Sequence, residues 1–156
     1  MTDESKKPLA LGSDHAGFAL KQTLITALQQ WGVAFEDLGT LNDASVDYPD
    51  FAHAVATGVA SGKYRAGLLV CGTGLGVSMA ANRHQGVRAA VCTDSYAARM
   101  ARQHNDANVL CLGARIVGPG VAEDVLKTFL DASFEGGRHA KRVAKIDDVV
   151  KRDEQG

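Results

Sequence analysis

The sequence predicts an α/β fold in which a five-stranded parallel sheet lies between two layers of helices, a three-layer αβα sandwich. Five short, mostly apolar runs alternate with longer segments whose apolar residues recur at helical spacing. Strands that alternate with helices pair in parallel through right-handed crossovers, and helices cover both faces of their sheet. The 156 residues suit a single domain, 1–156, of which residues 1–7 are expected to be flexible.

The five strands are predicted from apolar runs bounded by glycine, proline or polar turn residues. In chain order they are residues 8–13, 33–38, 68–71, 87–93 and 108–112. Such short, nearly continuous apolar runs are typical of strands that are buried on both faces.

The helices are predicted from apolar residues three or four apart and from capping and stop signals. The first places Leu20, Leu24 and Leu28 on one face and ends before Gly32, and Asp50 is the predicted N-cap of the second. In chain order the predicted helices are residues 16–31, 50–61, a short helix that runs from the glycine-rich turn to about 82, then 95–103, 121–130 and a basic last helix from 138 to about 151.

The composition favours a small molecule as the partner. A net charge of −1 provides no basic surface for nucleic acid or an anionic membrane. No apolar run approaches the roughly 18 residues of a membrane span, and the first residues lack the apolar core of a secretory signal, so a cytoplasmic protein is expected. The three cysteines lack the spacing of a zinc site, and Cys92 and Cys111 are predicted to be small buried side chains.

The turn after the third predicted strand carries the most chemical information. Cys71 ends that strand, and Gly72, Gly74 and Gly76 precede a helix. Glycine lets the backbone approach a ligand closely, and N–H groups at the start of a helix attract anions. Such N–H groups also favour the thiolate form of a neighbouring cysteine. The turn therefore predicts that Cys71 acts as a base or nucleophile on a small anionic substrate.

Two other interpretations of this turn stay open. A dinucleotide-binding fingerprint requires glycine or alanine where this chain has Val77, although Asp94 follows at about twenty residues, where a ribose-binding acid belongs. The preferred role of Asp94 is to cap the helix that follows it. The glycines can also serve packing alone, by letting a helix and a strand approach each other.

Strand connectivity assigns the polar residues to two edges of the sheet. Ligands of parallel sheets bind at the carboxyl ends of the strands, and the residues that follow strands are Asp14, His15, Cys71, Thr73, Asp94 and Arg115. His104, Asn105 and Arg138 follow helices, which places them at the opposite edge of their own subunit. If both groups serve one reaction, the site is shared between two subunits and requires a dimer.

Six short motifs occur in a fixed order between about residues 9 and 149. They read Ser13-Asp14-His15-Ala16-Gly17, Asp47-Tyr48-Pro49-Asp50, Cys71-Gly72-Thr73-Gly74, Ala80-Ala81-Asn82, Arg102-Gln103-His104-Asn105 and Glu135-Gly136-Gly137-Arg138-His139. Together they resemble the ribose-5-phosphate isomerase B family, which includes isomerases of galactose 6-phosphate and allose 6-phosphate. The resemblance implies interconversion of ribose 5-phosphate and ribulose 5-phosphate in the pentose phosphate pathway, without a metal or cofactor. It also implies a Rossmann-like fold that works as a homodimer or a pair of dimers, with a C-terminal helix that reaches the partner subunit.

The resemblance implies chemical roles for four residues. Cys71 would abstract the proton from C2 of the sugar, and Thr73 would help to move a proton between the two sugar oxygens. His104, with Asp14 nearby, would open the furanose ring. A subset of the family uses a glutamate base directly after the third glycine of the turn, whereas this chain has Val77 there and keeps Cys71.

The other residues implied by the resemblance hold the substrate. Amides of the glycine turn would bind the enediolate, a second group the sugar hydroxyls, and a third the phosphate. In that order the groups are Gly72, Gly74 and Gly76; Asn105, Asp47 and Tyr48; and His15, Arg115, Arg138 and Arg142. Arg138 and Arg142 are four residues apart, hence on one helix face, and would come from the other subunit.

Two alternative functions stay open. A six-carbon sugar-phosphate isomerase would use the same residues, because a pocket with room for one more CH(OH) unit differs in the loop near Tyr48. A nucleotide-binding module without catalysis would account for the glycines and Asp94. It leaves Cys71, His104 and the two arginines of the last helix without a role.

Overall fold

One parallel sheet organises the chain. The computed structural model describes residues 3–149. Within that range the sheet has five strands in the order β2-β1-β3-β5-β4, and every neighbouring pair is parallel. The strands are β1 (Leu9–Ser13), β2 (Phe35–Asp37), β3 (Ala66–Cys71), β4 (Ala89–Val91) and β5 (Val109–Gly113). The predicted α/β class with a five-stranded parallel sheet is confirmed.

Helices cover both faces of this sheet. They are α1 (Phe18–Gln30), α2 (Tyr48–Ala60), α3 (Leu75–Ala81), α4 (Ser95–Gln103), α5 (Pro119–Asp131) and α6 (Arg138–Ile146). Apolar residues of α1, α4 and α5 pack on one face of the sheet, and those of α2 and α3 pack on the other. No helix within residues 3–149 is long and apolar enough to cross a membrane.

The side chains of the central strand β3 alternate between the two apolar layers. Leu68 and Val70 pack with the α1, α4 and α5 layer, whereas Leu69 and Cys71 pack with the α2 and α3 layer. All four are at most 5% exposed. Burial of each large apolar side chain stabilises the fold by about 1.5–3 kcal/mol. Because both faces of the strand are used for packing, polar chemistry is confined to the strand ends.

Several helix boundaries differ from the prediction, most of them by one or two residues, and two of the differences have a physical explanation. The helix expected to be capped by Asp50 begins at Tyr48, and Asp47 occupies the cap position. Pro49 lies in the first turn, where its missing N–H is not needed and its fixed φ suits a helix, so Asp50 is inside the helix. The last helix, α6, ends at Ile146. Two aspartates follow it, and negative charges interact unfavourably with a helix C-terminus. The predicted end near residue 151 lies outside the described residues.

The strands β2 and β4 are shorter than predicted. Each spans three residues, whereas the apolar runs cover 33–38 and 87–93. Both are the outermost strands of the sheet, and each pairs with a single neighbour. Because an outer strand forms hydrogen bonds to one neighbour only, a smaller part of its apolar run is paired as strand than in the central strands.

A buried lysine connects α1 to the β2–α2 loop, residues 38–47. Lys21 lies on α1 and is 0% exposed. Its Nζ donates to Asp37 Oδ1 and, at 2.7 Å, to the carbonyl oxygen of Thr40. Asp37 Oδ1 also accepts a hydrogen bond from the Gly39 N–H at 3.0 Å. The buried ammonium is tolerated because a carboxylate and a carbonyl replace its water, and the same contacts fix the start of the loop.

We predict that Lys21→Met lowers the free energy of unfolding by about 3 kcal/mol, because Asp37 loses its cation in a partly buried site. The double variant Lys21→Met/Asp37→Asn is expected to lose less than the single variant. Urea unfolding followed by circular dichroism measures both.

The control for this prediction is Lys127→Met. Lys127 pairs with Asp131 one turn along α5, where both side chains are exposed, so its loss should cost less than about 0.5 kcal/mol. A cost below about 1 kcal/mol for Lys21→Met would show that the buried pair contributes little to stability.

Candidate active site

The carboxyl ends of β1, β3 and β5 lie side by side. In the register of the sheet, Ser13 is beside Val70 and Cys71 is beside Gly113. The candidate residues that follow these strand ends are Asp14, His15, Gly72, Thr73 and Arg115. The structure thus brings this predicted group to one edge of the sheet.

The turn between β3 and α3 is held against the end of β5 by backbone contact. Gly74 adopts a φ of +79°, and a Cβ there would lie 3.0 Å from the carbonyl carbon of Leu112. A Cβ on Gly113 would lie 2.6 Å from the carbonyl group of Thr73. Both positions require glycine, since a side chain would push the two backbones apart.

Cys71 contributes a thiol to this turn, and Thr73 contributes a hydroxyl. Cys71 is 5% exposed, and its Sγ accepts a hydrogen bond from the Gly74 N–H at 3.1 Å. The exposed Thr73 accepts at Oγ1 from the Leu75 N–H at 3.2 Å, which leaves its hydroxyl proton free to donate. The next N–H groups, in the first turn of α3, have no acceptor within the helix. A thiol, a hydroxyl and backbone donors therefore share one short segment.

Val77 completes the first turn of α3 without adding a polar group. Its side chain is 0% exposed and packs in the apolar layer of α2 and α3. Cys71 therefore remains the ionisable side chain that the β3–α3 turn itself contributes.

Arg115 lies across Gly72. A Cβ on Gly72 would be 3.3 Å from Arg115 Nη1, and the Arg115 N–H donates to the carbonyl oxygen of Gly72 at 3.0 Å. Arg115 is exposed. This arrangement places a positive charge that can bind an anion next to the turn that contains Cys71.

Asp14 and His15 lie on the other side of β3 from Arg115. Asp14 is 7% exposed, and its Oδ1 accepts from the Gly17 N–H at 3.0 Å. His15 accepts at Nδ1 from the Val46 N–H at 3.2 Å. In a neutral imidazole the other nitrogen, Nε2, then carries the proton and is a donor. His15 therefore holds the β2–α2 loop with one nitrogen and offers a donor with the other.

Tyr48 and Asp47 reach this edge from the start of α2. The Tyr48 ring lies against the first turn of α3, so that a Cβ on Gly76 would be 2.6 Å from the ring. Asp47 is exposed, and its carboxylate makes no capping hydrogen bond to α2. Glycine at 76 is thus needed for the tyrosine to sit where it does.

The other candidate residues lie at the amino-terminal edge of the sheet. His104 ends α4, and its ring stacks on that of His139, with centroids 4.2 Å apart and 12° between the planes. Arg138 and Arg142 are exposed on α6. Burial lowers the pKa of His139, and the nearby Arg138 and Arg142 act in the same direction, against the opposite effect of Glu135. Asn105 is exposed and lines a cavity of about 690 Å³ between the ends of α3 and α6.

A single chain does not bring the two groups together. Parallel pairing sets Gly67 beside Val109 at one end of β3 and Cys71 beside Gly113 at the other. His104 precedes β5, so it lies beyond the end opposite to Cys71, and the strand alone separates those ends by roughly 13 Å. This agrees with the division that connectivity predicts.

Other polar residues and cysteines have structural roles. Asp94 caps α4, since its Oδ1 accepts from an N–H in the first turn at 2.8 Å. The Asn82 side chain exchanges two hydrogen bonds with the backbone of Ala89 and braces the start of β4. Burial raises the pKa of Cys92 to about 11 and raises that of Cys111 well above its ordinary value. Cys92 and Cys111 are buried, as predicted.

Sequence reasoning assigns no role to His139 or Lys21, although both contact candidate residues or the loop that carries them. For His139 the available signal was its place in the last matched motif. For Lys21 the signal was a charged residue on the face of the first predicted helix that packs on the sheet, one residue after Leu20 and three before Leu24.

Comparison with known proteins identifies the family. The family described as Ribose/Galactose Isomerase matches residues 9–146. Ribose-5-phosphate isomerase B of Escherichia coli (strain K12) is 45% identical over 94% of this chain and 98% of that protein. D-erythrulose-4-phosphate isomerase of Pectobacterium atrosepticum is 43% identical over 88% of this chain and 91% of that protein. The solved structure of Clostridium thermocellum ribose-5-phosphate isomerase B matches with a TM-score of 0.91 and 52% identity, over 93% of this chain and 98% of that one. The chain belongs to the ribose/galactose isomerase family.

Proposed function

We propose that this protein interconverts ribose 5-phosphate and ribulose 5-phosphate. The observation that carries the proposal is the position of Cys71, whose Sγ lies 3.1 Å from the Gly74 amide nitrogen while Arg115 crosses the adjacent glycine. A proton acceptor beside fixed backbone donors and a cation is what aldose–ketose isomerisation of a sugar phosphate requires. Relatives named ribose-5-phosphate isomerase B support a pentose phosphate as the substrate.

Cys71 acts as the base in this proposal. Its thiolate takes the proton from C2 of the open-chain aldose, and the resulting thiol returns a proton to C1 to give the ketose. Thr73, whose hydroxyl proton is free, moves a proton between the oxygens on C1 and C2. Backbone amides from Gly72 to Gly76 stabilise the enediolate that forms between the two steps.

Ring opening and hydroxyl binding complete the reaction. His104, with Asp14, is the proposed acid–base pair that opens the furanose before Cys71 acts. Because His104 and Cys71 lie at opposite edges of one chain, we infer that they meet only between two subunits. Asn105 would enter the site with His104, and the start of α2, with Asp47 and Tyr48, would bind sugar hydroxyls on the Cys71 side.

The phosphate site divides between subunits in the same way. His15 and Arg115 supply donors from the carboxyl edge, and a second copy of the chain supplies Arg138 and Arg142 from α6. Both α6 arginines are exposed, four residues apart on one helix face, as a clamp on a phosphate requires. The homodimer or pair of dimers and the cytoplasmic location stay predictions.

The first test is turnover of ribose 5-phosphate in the presence of EDTA, beside allose 6-phosphate and erythrulose 4-phosphate at equal concentration. We expect the pentose phosphate to be turned over fastest and EDTA to have no effect, because the proposed proton transfers need no metal. Formation of the product sugar phosphate is measured directly. Faster turnover of another sugar would keep the mechanism and change the substrate, and no turnover of any of them would refute the proposed activity.

Removal of the base is expected to abolish catalysis. Cys71→Ala should reduce kcat by at least about 1,000-fold with little change in KM, since general base catalysis contributes up to about 10,000-fold and Cys71 does not contact the phosphate in this proposal. Cys92→Ala is the matched control and should keep activity within about twofold, because that thiol is buried away from the turn. Near-normal activity of Cys71→Ala would exclude it as the base.

If Cys71 of one subunit and His104 of another form one site, two inactive variants should restore activity when they form mixed dimers. When Cys71→Ala and His104→Ala chains are co-expressed with different tags, half of randomly formed dimers are mixed, and each mixed dimer has one intact site. About a quarter of wild-type activity should return. Cys71→Ala combined with Asp14→Asn is the control, since both changes affect the same edge and no intact site can form. Mixed dimers without activity in the first pair would place Cys71 and His104 in the site of one subunit.

A further inference from the structure

Three potential metal ligands meet where α4 and α6 approach each other. One ligand atom from each of His104, Glu135 and His139 lies within 4.8 Å of the other two. His104 ends α4, Glu135 precedes the glycine pair at 136–137, and His139 lies in the first turn of α6. The Glu135 N–H donates to the carbonyl oxygen of Gln103 at 3.0 Å. The backbone therefore holds the two segments together independently of the three side chains.

The distance between two of these ligand atoms is close to the distance between neighbouring ligands of a bound metal ion. A tetrahedral ion with bonds of about 2.1 Å sets its ligand atoms about 3.4 Å apart. His139 Nε2 and Glu135 Oε2 are already 3.5 Å apart. The two imidazoles are stacked with 12° between their planes, and a nitrogen coordinates an ion in the plane of its ring, so binding one ion with both rings requires one of them to turn. His104 is the more exposed of the two and is the ring that can do so.

An unsatisfied buried atom points to a ligand at this position. His139 is 6% exposed, and within residues 3–149 its Nε2 has no hydrogen-bond partner, although Glu135 Oε2 lies 3.5 Å away. A buried polar atom without a partner costs free energy that a bound ion would recover. Two imidazoles and a carboxylate, with one position left for water, form a common zinc ligand set. Arg138 and Arg142 oppose a cation there and keep its affinity moderate.

We propose that His104, Glu135 and His139 form an inhibitory site for a divalent transition metal, with Zn²⁺ as the best-matched ion. An ion bound there withdraws His104 from ring opening, so metal and activity exclude each other. The inhibition rests on the proposed function of His104, whereas the binding of the metal does not.

Binding is tested by calorimetric titration of the metal-free protein with Zn²⁺ and by the absorption spectrum with Co²⁺. Glu135→Gln, which keeps the shape of the side chain, and His139→Phe, which keeps the stacked ring, should each weaken binding by at least about tenfold. The control is His53→Ala, which removes a second histidine contact, between His53 Nδ1 and His84 Nε2 at 2.7 Å. That variant should bind like the wild type.

Three results would overturn the site. They are unchanged affinity in both Glu135→Gln and His139→Phe, loss of binding in His53→Ala, and a thiolate-to-cobalt charge-transfer band that disappears in Cys71→Ala. The last result would assign the ion to Cys71 instead of the imidazoles.

Inhibition is tested separately with ribose 5-phosphate. Zn²⁺ should inhibit turnover, EDTA should restore it fully, and Glu135→Gln should raise the inhibitory Zn²⁺ concentration by at least about tenfold, in parallel with its loss of affinity. Tight binding without inhibition would refute the inhibitory role. If the protein turned over no sugar phosphate at all, the proposed function would fail while the binding titrations still decided the site.

Discussion

The close backbone contact between the β3–α3 turn and the end of β5 is the constraint on which the rest of the site depends. Gly113 leaves no space for a Cβ against Thr73, and Gly74 turns with a positive φ against Leu112. These contacts fix where the Gly74 N–H meets the sulfur of Cys71. They also set the start of the chain after β5, so that Arg115 crosses the turn. One glycine in the β3–α3 turn and one at the end of β5 thus position a thiol, its donor and a cation together.

The parallel sheet separates this arrangement from the other candidate residues of the same chain. Every strand ends at the same edge, so residues that follow strands collect there, and residues that follow helices collect at the other edge. His104 and the arginines of α6 belong to the second group. In the proposed mechanism, therefore, His104 and the arginines of α6 reach the thiol of Cys71 only when two chains pair. The same topology leaves His104 stacked on His139 at the edge that faces a second chain in the proposed site.

The sequence predicts features that depend on local pattern and connectivity, and misses those that depend on packing between distant segments. The strand–helix alternation, the edge of each polar residue and the capping role of Asp94 all follow from neighbours in the chain, and the structure agrees. The expected cap at Asp50 is wrong because Pro49 is equally suited to the first helical turn. The stacking of His139 on His104 brings together α4 and α6, which β5 and α5 separate in the chain, and no periodicity encodes it.

Lys21 shows how a residue outside the motifs can shape the site. Its Nζ holds the carbonyl of Thr40 at the start of the β2–α2 loop, and His15 Nδ1 holds the amide of Val46 near its end. The loop that leads into Tyr48 is therefore anchored at both ends by side chains outside it. Since the proposed phosphate donor is the other nitrogen of His15, one imidazole links phosphate binding to the position of the loop. In the proposed function, the position of this loop and phosphate binding are therefore coupled through His15, and the hydrogen bond from Lys21 holds the loop at its start.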